Sequence, residues 1–204
     1  MPPAFSAEER ARITELLLDN GRALFTTRGL RKTSLEELVA PARIAKSSFY
    51  QFFDSKEALY LELMIRQTAE VKRRVIDEAL YAEDDTRQAL RRFLHATVTE
   101  ITTDPLYRRL MTHPEEMRAV ARRIDPSRMA ALADNPVTAL DDYIAREQRG
   151  GRLVDADPAV VVGLLQIVLL TPVHAEHLRD PDRYPEILDL LIDIVATALT
   201  TPEE

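Results

Sequence analysis

Apolar residues recur every three or four positions along most of the chain, the period of amphipathic helices. Ser6 precedes Ala7-Glu8-Glu9, and Ile13, Leu16, Leu17, Leu24 and Phe25 follow at helical spacing, so a first helix is predicted from Ser6 to Gly29. Ser34, with Glu37 three residues on, is a capping box for a short second helix whose apolar side is Leu35, Leu38 and Val39 and which Pro41 closes. A third short helix is predicted from about Ala45 to Phe52. Asp54 or Ser55 then caps a long fourth one, with Leu59, Leu63, Met64, Val71, Val75 and Leu80 on one side.

The remainder repeats that grammar. Asp84 to Thr103 reads as helix with Leu90, Phe93, Leu94, Val98 and Ile101 inward. Asp104-Pro105, His113-Pro114, Asp125-Pro126, Asn135-Pro136 and Asp157-Pro158 each mark a helix start, because proline is tolerated in a first turn. A last helix is expected from about Tyr184 to Thr200. No strand pattern and no internal repeat stands out. The expected fold class is all-α.

Composition agrees: there are only five glycines in 204 residues, too few for a glycine-punctuated β fold. The absence of cysteine excludes a disulfide framework, a thiolate metal site and a cysteine nucleophile. The N-terminus shows no basic segment followed by an apolar run. The longest apolar stretch, Ala159 to Val173, is interrupted by Gly163, Gln166 and Pro172 and falls short of a membrane span of roughly 20 residues. A soluble, cytoplasmic protein with no membrane partner is therefore expected. The net charge of -7 is unevenly divided. Residues 1–56 hold nine Lys/Arg against seven Asp/Glu, and residues 57–204 hold eighteen against twenty-seven. The acidity thus lies in the second part, and a modest basic footprint remains in the first.

Function is carried by residues 10–60. A long helix precedes two short ones separated by Pro41-Ala42-Arg43-Ile44, the arrangement that lays a recognition helix in a major groove. On the third helix Lys46, Ser48, Tyr50 and Gln51 can reach phosphates or base edges, and small Ser47 allows close approach. Phe49, Phe52 and Phe53 read as core. Phe25, Gly29, Thr33-Ser34, Lys46, Ser48, Phe49-Tyr50, Phe53 and Lys56-Glu57-Ala58-Leu59 together resemble the DNA-binding domain of the TetR family of repressors. The resemblance implies an all-helical homodimer that binds a palindromic double-stranded DNA operator and releases it when a small effector occupies the C-terminal domain. It further implies phosphate contacts from Thr33, Ser34 and Lys56.

Two residues depart from the family pattern. Arg43 stands where glycine is usual, at a position that often needs φ > 0, so strain or a compensating phosphate contact is expected there. Ala45 replaces serine and leaves the recognition helix without a capping hydroxyl. These departures leave open an alternative, a helical small-molecule-binding or scaffold protein with weakened DNA binding.

The expected division is a helix-turn-helix domain at 1–54 and a ligand-binding and dimerisation domain at 55–204. Val160, Val161, Leu164, Leu165, Val168 and Leu169 go almost round their helix, which must therefore be buried on most sides. Leu164, Val168, Ile187, Leu191, Ile194 and Val195 are expected at the dimer interface. A mainly hydrophobic effector is expected among Phe93, Leu94, Val98, Tyr107, Met111, Tyr143 and Ile167, with the two tyrosines as polar anchors. Met117 and Met129 extend the methionine-rich stretch that suggests a cavity. His174 and His177 share a helix face but lack a third ligand, so no metal and no cofactor is expected, and no catalytic set appears.

Overall fold

A computed structural model describes residues 5–122 and 135–201. The helix start expected at Asp125-Pro126, and Met129, lie outside the described residues. Among the described residues the chain is helical, with one isolated bridge between Leu153 and Thr200. Packing divides it into two compact units, one of residues 5–67 and 105–122, the other of residues 68–104 and 135–201.

The first unit holds α1 (Ala7–Arg28), α2 (Leu35–Val39), α3 (Lys46–Phe49), the start of α4 (Lys56–Lys72), α6 (Pro105–Thr112) and α7 (Pro114–Ala121). Both expected capping boxes form: Ser6 with Glu9 and Ser34 with Glu37. Ser55 is the α4 cap, its Oγ accepting from Ala58 N–H at 3.0 Å. Ile13, Leu17, Phe25, Leu38, Phe49, Phe53, Leu59, Leu63, Leu106 and Val120 make one core, so Phe49 and Phe53 are core residues as expected. Gly21 lets α1 meet α4, since a Cβ there would stand 3.1 Å from Leu59 Cδ2.

Gly29 ends α1 with φ 81°, and a side chain there would run into the Arg109–Glu116 pair. That pair is largely buried and bidentate: Arg109 donates to both Glu116 oxygens at 2.9 and 2.6 Å, and Tyr60 O–H adds a third bond at 3.1 Å. Burial raises Glu116, but Arg109 and Tyr60 outweigh it and hold the carboxyl below its ordinary pKa. Burial, with the Glu116 charge beside it, pushes the Tyr60 phenol up.

The second unit holds the end of α4, its continuation Arg73–Leu80, α5 (Thr86–Thr103), α8 (Pro136–Arg149), α9 (Pro158–Leu170) and α10 (Tyr184–Leu199). Four of the expected X-Pro starts, at Pro105, Pro114, Pro136 and Pro158, open helices as predicted. The fourth helix is not regular to Leu80. From Arg73 its bonds widen to the π pattern, with Tyr81 N–H reaching Ile76 C=O. Val75, Ile76, Ala79 and Leu80 of this stretch are buried, and the stretch packs against α5.

Val161, Leu165, Val168 and Leu169 of α9 are buried in this unit, while Val160, Leu164, Ile167 and Leu170 are exposed. The apolar circumference of α9 thus has two faces, one buried in this unit and one exposed. The apolar run also extends further than the sequence pattern suggests. A 3₁₀ turn (Thr171–His177) carries the helical course across Pro172, and Pro158–His177 is long and apolar enough by composition to cross a membrane.

Candidate DNA-reading surface

The helix-turn-helix is α2, the turn Ala40–Ala45 and α3. Asn20 of α1 donates to the carbonyls of Glu37 and Leu38 at 2.7 and 3.0 Å, satisfying acceptors at the end of α2 and fixing it on α1. Arg10 donates to Gln51 C=O at 2.7 Å and lies 5.1 Å over the Phe52 ring, anchoring the end of the recognition segment. The sequence reading missed both anchors. Each depends on a partner seventeen or more residues away, which no local pattern encodes.

Arg43 has φ 54°, the one positive φ at a non-glycine residue among the described residues. The strained turn expected at the glycine position is therefore present. Ala45 provides no side-chain cap. The α3 helix is shorter than expected: after Phe49 the chain continues in i→i+3 turns, with Gln51 N–H on Ser48 C=O and Phe52 N–H on Phe49 C=O.

Lys46, Ser47, Tyr50 and Gln51 are exposed, Tyr50 by 55% despite its large ring, and Ser48 is half-buried. Arg31, Lys32 and Arg43 are exposed and pair with no carboxylate among the described residues. Ser34 is exposed, but its hydroxyl is engaged with Glu37.

Two residues expected to contact phosphate are turned onto the protein itself in this structure. Thr33 is 2% exposed, and its hydroxyl donates to Gly29 C=O at 2.9 Å, so it braces the α1–α2 loop from inside. Lys56 turns its ammonium onto the same loop, donating to Leu30 and Thr33 carbonyls at 2.9 Å each, with Arg31 C=O at 3.5 Å. Three carbonyls converging on one ammonium make it a loop clasp.

Lys46 is itself engaged, donating from Nζ to Glu36 Oε1 at 2.6 Å. Each partner stabilises the other's charge, lowering the Glu36 pKa and raising that of Lys46. Arg28 forms an ion pair with Glu37.

The expected effector residues fall in two groups. Tyr107 and Met111 belong to the first unit; Phe93, Leu94, Val98 and Tyr143 belong to the second and are buried there. Ile167 does not join them. It is 64% exposed and lines an apolar groove of about 360 Å³ with Leu170, His174, Tyr184, Ile187 and Leu191. Tyr143 instead edges a polar cavity of about 450 Å³ with Tyr81, Arg146, Glu147 and Arg152. Glu147 there is buried and accepts from Thr86 Oγ1 (2.8 Å), Arg146 (2.9 Å) and Arg152 (2.6 Å). Burial opposes the charge, but these three donors win and bring Glu147 down to about 2. Burial, reinforced by the Glu147 charge, pushes the Tyr143 phenol up to about 12.

Among the expected interface residues, Leu164, Ile187 and Ile194 are exposed, and Leu191 and Val195 are half-buried. Val168 is 1% exposed and packs inside the unit, one helical turn round from Leu164, so it is a core residue and not an outward-facing one.

These elements define a helix-turn-helix protein with a second helical unit. The model of bacterial regulatory proteins of the tetR family matches residues 17–63. The repressor NemR of Escherichia coli is 31% identical over 114 residues, 52% of this chain and 57% of that one. The repressor KstR2 of Rhodococcus jostii is 36% identical over 63 residues, 31% of each. The matches thus span about half or less of these relatives' length. A TetR-family regulator structure from Marinobacter aquaeolei superposes on 97% of this chain and 100% of its own, with TM-score 0.72 at 15% identity, which establishes the fold. Residues 17–63 thus match the DNA-binding domain of the tetR family, and the whole chain has the fold of TetR-family regulators.

Proposed function

We propose that the chain is a ligand-responsive, cytoplasmic transcriptional repressor that binds a palindromic operator as a homodimer, with residues 1–54 reading DNA and 55–204 binding effector and partner. The carrying observation is the helix-turn-helix whose third helix presents Lys46, Ser47, Tyr50 and Gln51 outward while Phe49 and Phe53 anchor it in the core. An exposed phenol beside an ammonium, a hydroxyl and an amide suits phosphate and base edges. Exposed Arg43, in the turn before this helix, and Arg31 and Lys32 of the same unit add positive charge suited to sugar-phosphate strands. The scaffold alternative is not favoured, because this surface is intact despite Arg43 and Ala45.

The dimer reading rests on the outward apolar face of α9 and α10. Leu164, Ile167, Ile187, Leu190 and Ile194 are all exposed, too many large apolar side chains for a face left in water. A second copy supplies an identical face, as two-fold symmetry requires. For the effector, a small and mainly hydrophobic molecule must part the packed α5 side chains Phe93, Leu94 and Val98, with Tyr143 as its polar anchor. Induction then needs the effector to prefer the DNA-free state by about 1–3 kcal/mol, and operator must weaken effector binding by the same factor.

The experiment is operator binding by the Lys46→Ala/Tyr50→Phe double variant. Loss of affinity is expected, and unchanged affinity would show that another surface reads the DNA.

A further inference from the structure

The cations of the DNA-reading surface are not all free, and the carboxylates that hold them sit on the neighbouring helix. Glu36 and Glu37 are adjacent residues of α2, and they take Lys46 and Arg28 respectively. Glu37 has a structural duty as the capping-box partner of Ser34. Glu36 has none: its side chain is 63% exposed, and its only described partner is the ammonium of Lys46. A carboxylate so placed can act on DNA directly or through a donor that it holds. Here the donor it faces is the protein's own.

We propose that Glu36 is an affinity-setting residue, an internal stand-in for phosphate that holds Lys46 in the free protein and must surrender it when DNA binds. The proposal rests on the DNA-binding reading above. The geometry matches the competition: one carboxylate oxygen at 2.6 Å from Nζ occupies the site a phosphate oxygen would take. Both partners are exposed, so the pair is weak and exchangeable. A strong buried pair would instead remove Lys46 from DNA binding altogether. The device limits attraction to any phosphate backbone, keeping sequence-independent binding low. It also leaves operator affinity within reach of a modest effector coupling.

Because phosphate carries no sequence information, releasing Lys46 must act equally on all DNA. The test is fluorescence anisotropy with an operator duplex enriched from a random pool and a scrambled duplex of equal length, for wild type, Glu36→Gln, Lys46→Ala and the double variant. Glu36→Gln is expected to bind both duplexes about two- to fivefold more tightly, the range of an exposed pair. In the Lys46→Ala background the same substitution is expected to change nothing. Glu37→Gln, which keeps the capping geometry, is expected to release Arg28 with a similar gain.

An equal gain in the Lys46→Ala background would show direct repulsion of DNA by Glu36 and overturn the proposal. So would an effect confined to the operator, which would make Glu36 a base reader, or no effect at all. Wild type binding neither duplex would overturn the repressor reading and this inference with it. Wild type binding both without a Glu36 effect overturns this inference alone.

Discussion

Replacing Arg43 by glycine separates two contributions that one residue makes. The backbone at Arg43 lies at φ 54°, in the left-handed region. That conformation costs an ordinary L-residue roughly 1–2 kcal/mol and costs glycine almost nothing. Glycine loses part of the gain, about 0.5–1 kcal/mol, through its more disordered unfolded state. The net expectation for Arg43→Gly is about 0.5–1 kcal/mol of added stability in the first unit. The side chain is exposed and pairs with no described carboxylate, so no lost contact offsets it. DNA binding should move the other way. One lost phosphate contact flattens the dependence of log affinity on log salt by about 0.9. Urea denaturation with fluorescence-detected salt titrations reads both quantities, and Arg43→Ala isolates them by removing the charge while keeping the strain. Arg43→Gly no more stable than Arg43→Ala would refute the strain argument. An unchanged salt slope in both would remove Arg43 from the DNA contact.

Ile194 is 56% exposed on α10, so Ile194→Glu should leave each protomer folded and give a monomer in sedimentation; an unaltered dimer would move the interface elsewhere. Lys56→Met should lower thermal stability by about 1–2 kcal/mol through three abandoned loop carbonyls while leaving the salt slope of DNA binding unchanged. A flatter slope at unchanged stability would instead restore Lys56 as a phosphate contact. Glu147 lies at about 2 when folded against an ordinary 4.5, a depressed carboxylate. Its contribution, about 3 kcal/mol at most, is therefore complete above pH 4.5 and lost as the pH falls toward 2. Glu147→Gln should remove that part of the acid transition, and an identical pH profile in the variant would contradict the network.

What was legible in the sequence was local. The Ser6 and Ser34 capping boxes and the proline-marked helix starts each depend on residues within four positions of one another, whereas the positive φ at Arg43 followed from the resemblance to the TetR family. The inward placement of Phe49 and Phe53 followed from the same periodicity. The placements that the sequence did not reveal share an opposite cause. Thr33 and Lys56 are polar residues in phosphate-binding company, and only the folded loop shows their polar atoms turned onto backbone carbonyls. Val168 and Leu164 are equally apolar, and only the packing of α9 decides which faces the core. The Tyr60–Glu116 bond joins residues 56 positions apart and left no trace in any window of sequence.

The central claim is that the α2–α3 surface reads a specific, two-fold symmetric DNA sequence. Selection of bound duplexes from a random pool at near-physiological salt, with wild type and Lys46→Ala/Tyr50→Phe in parallel, tests it most directly. The account predicts that wild type enriches an inverted repeat whose half-site centres lie about one helical turn, or a multiple of one, apart. The double variant should enrich nothing. Recovery of duplexes without any shared sequence by wild type, or of the same repeat by both proteins, would contradict it.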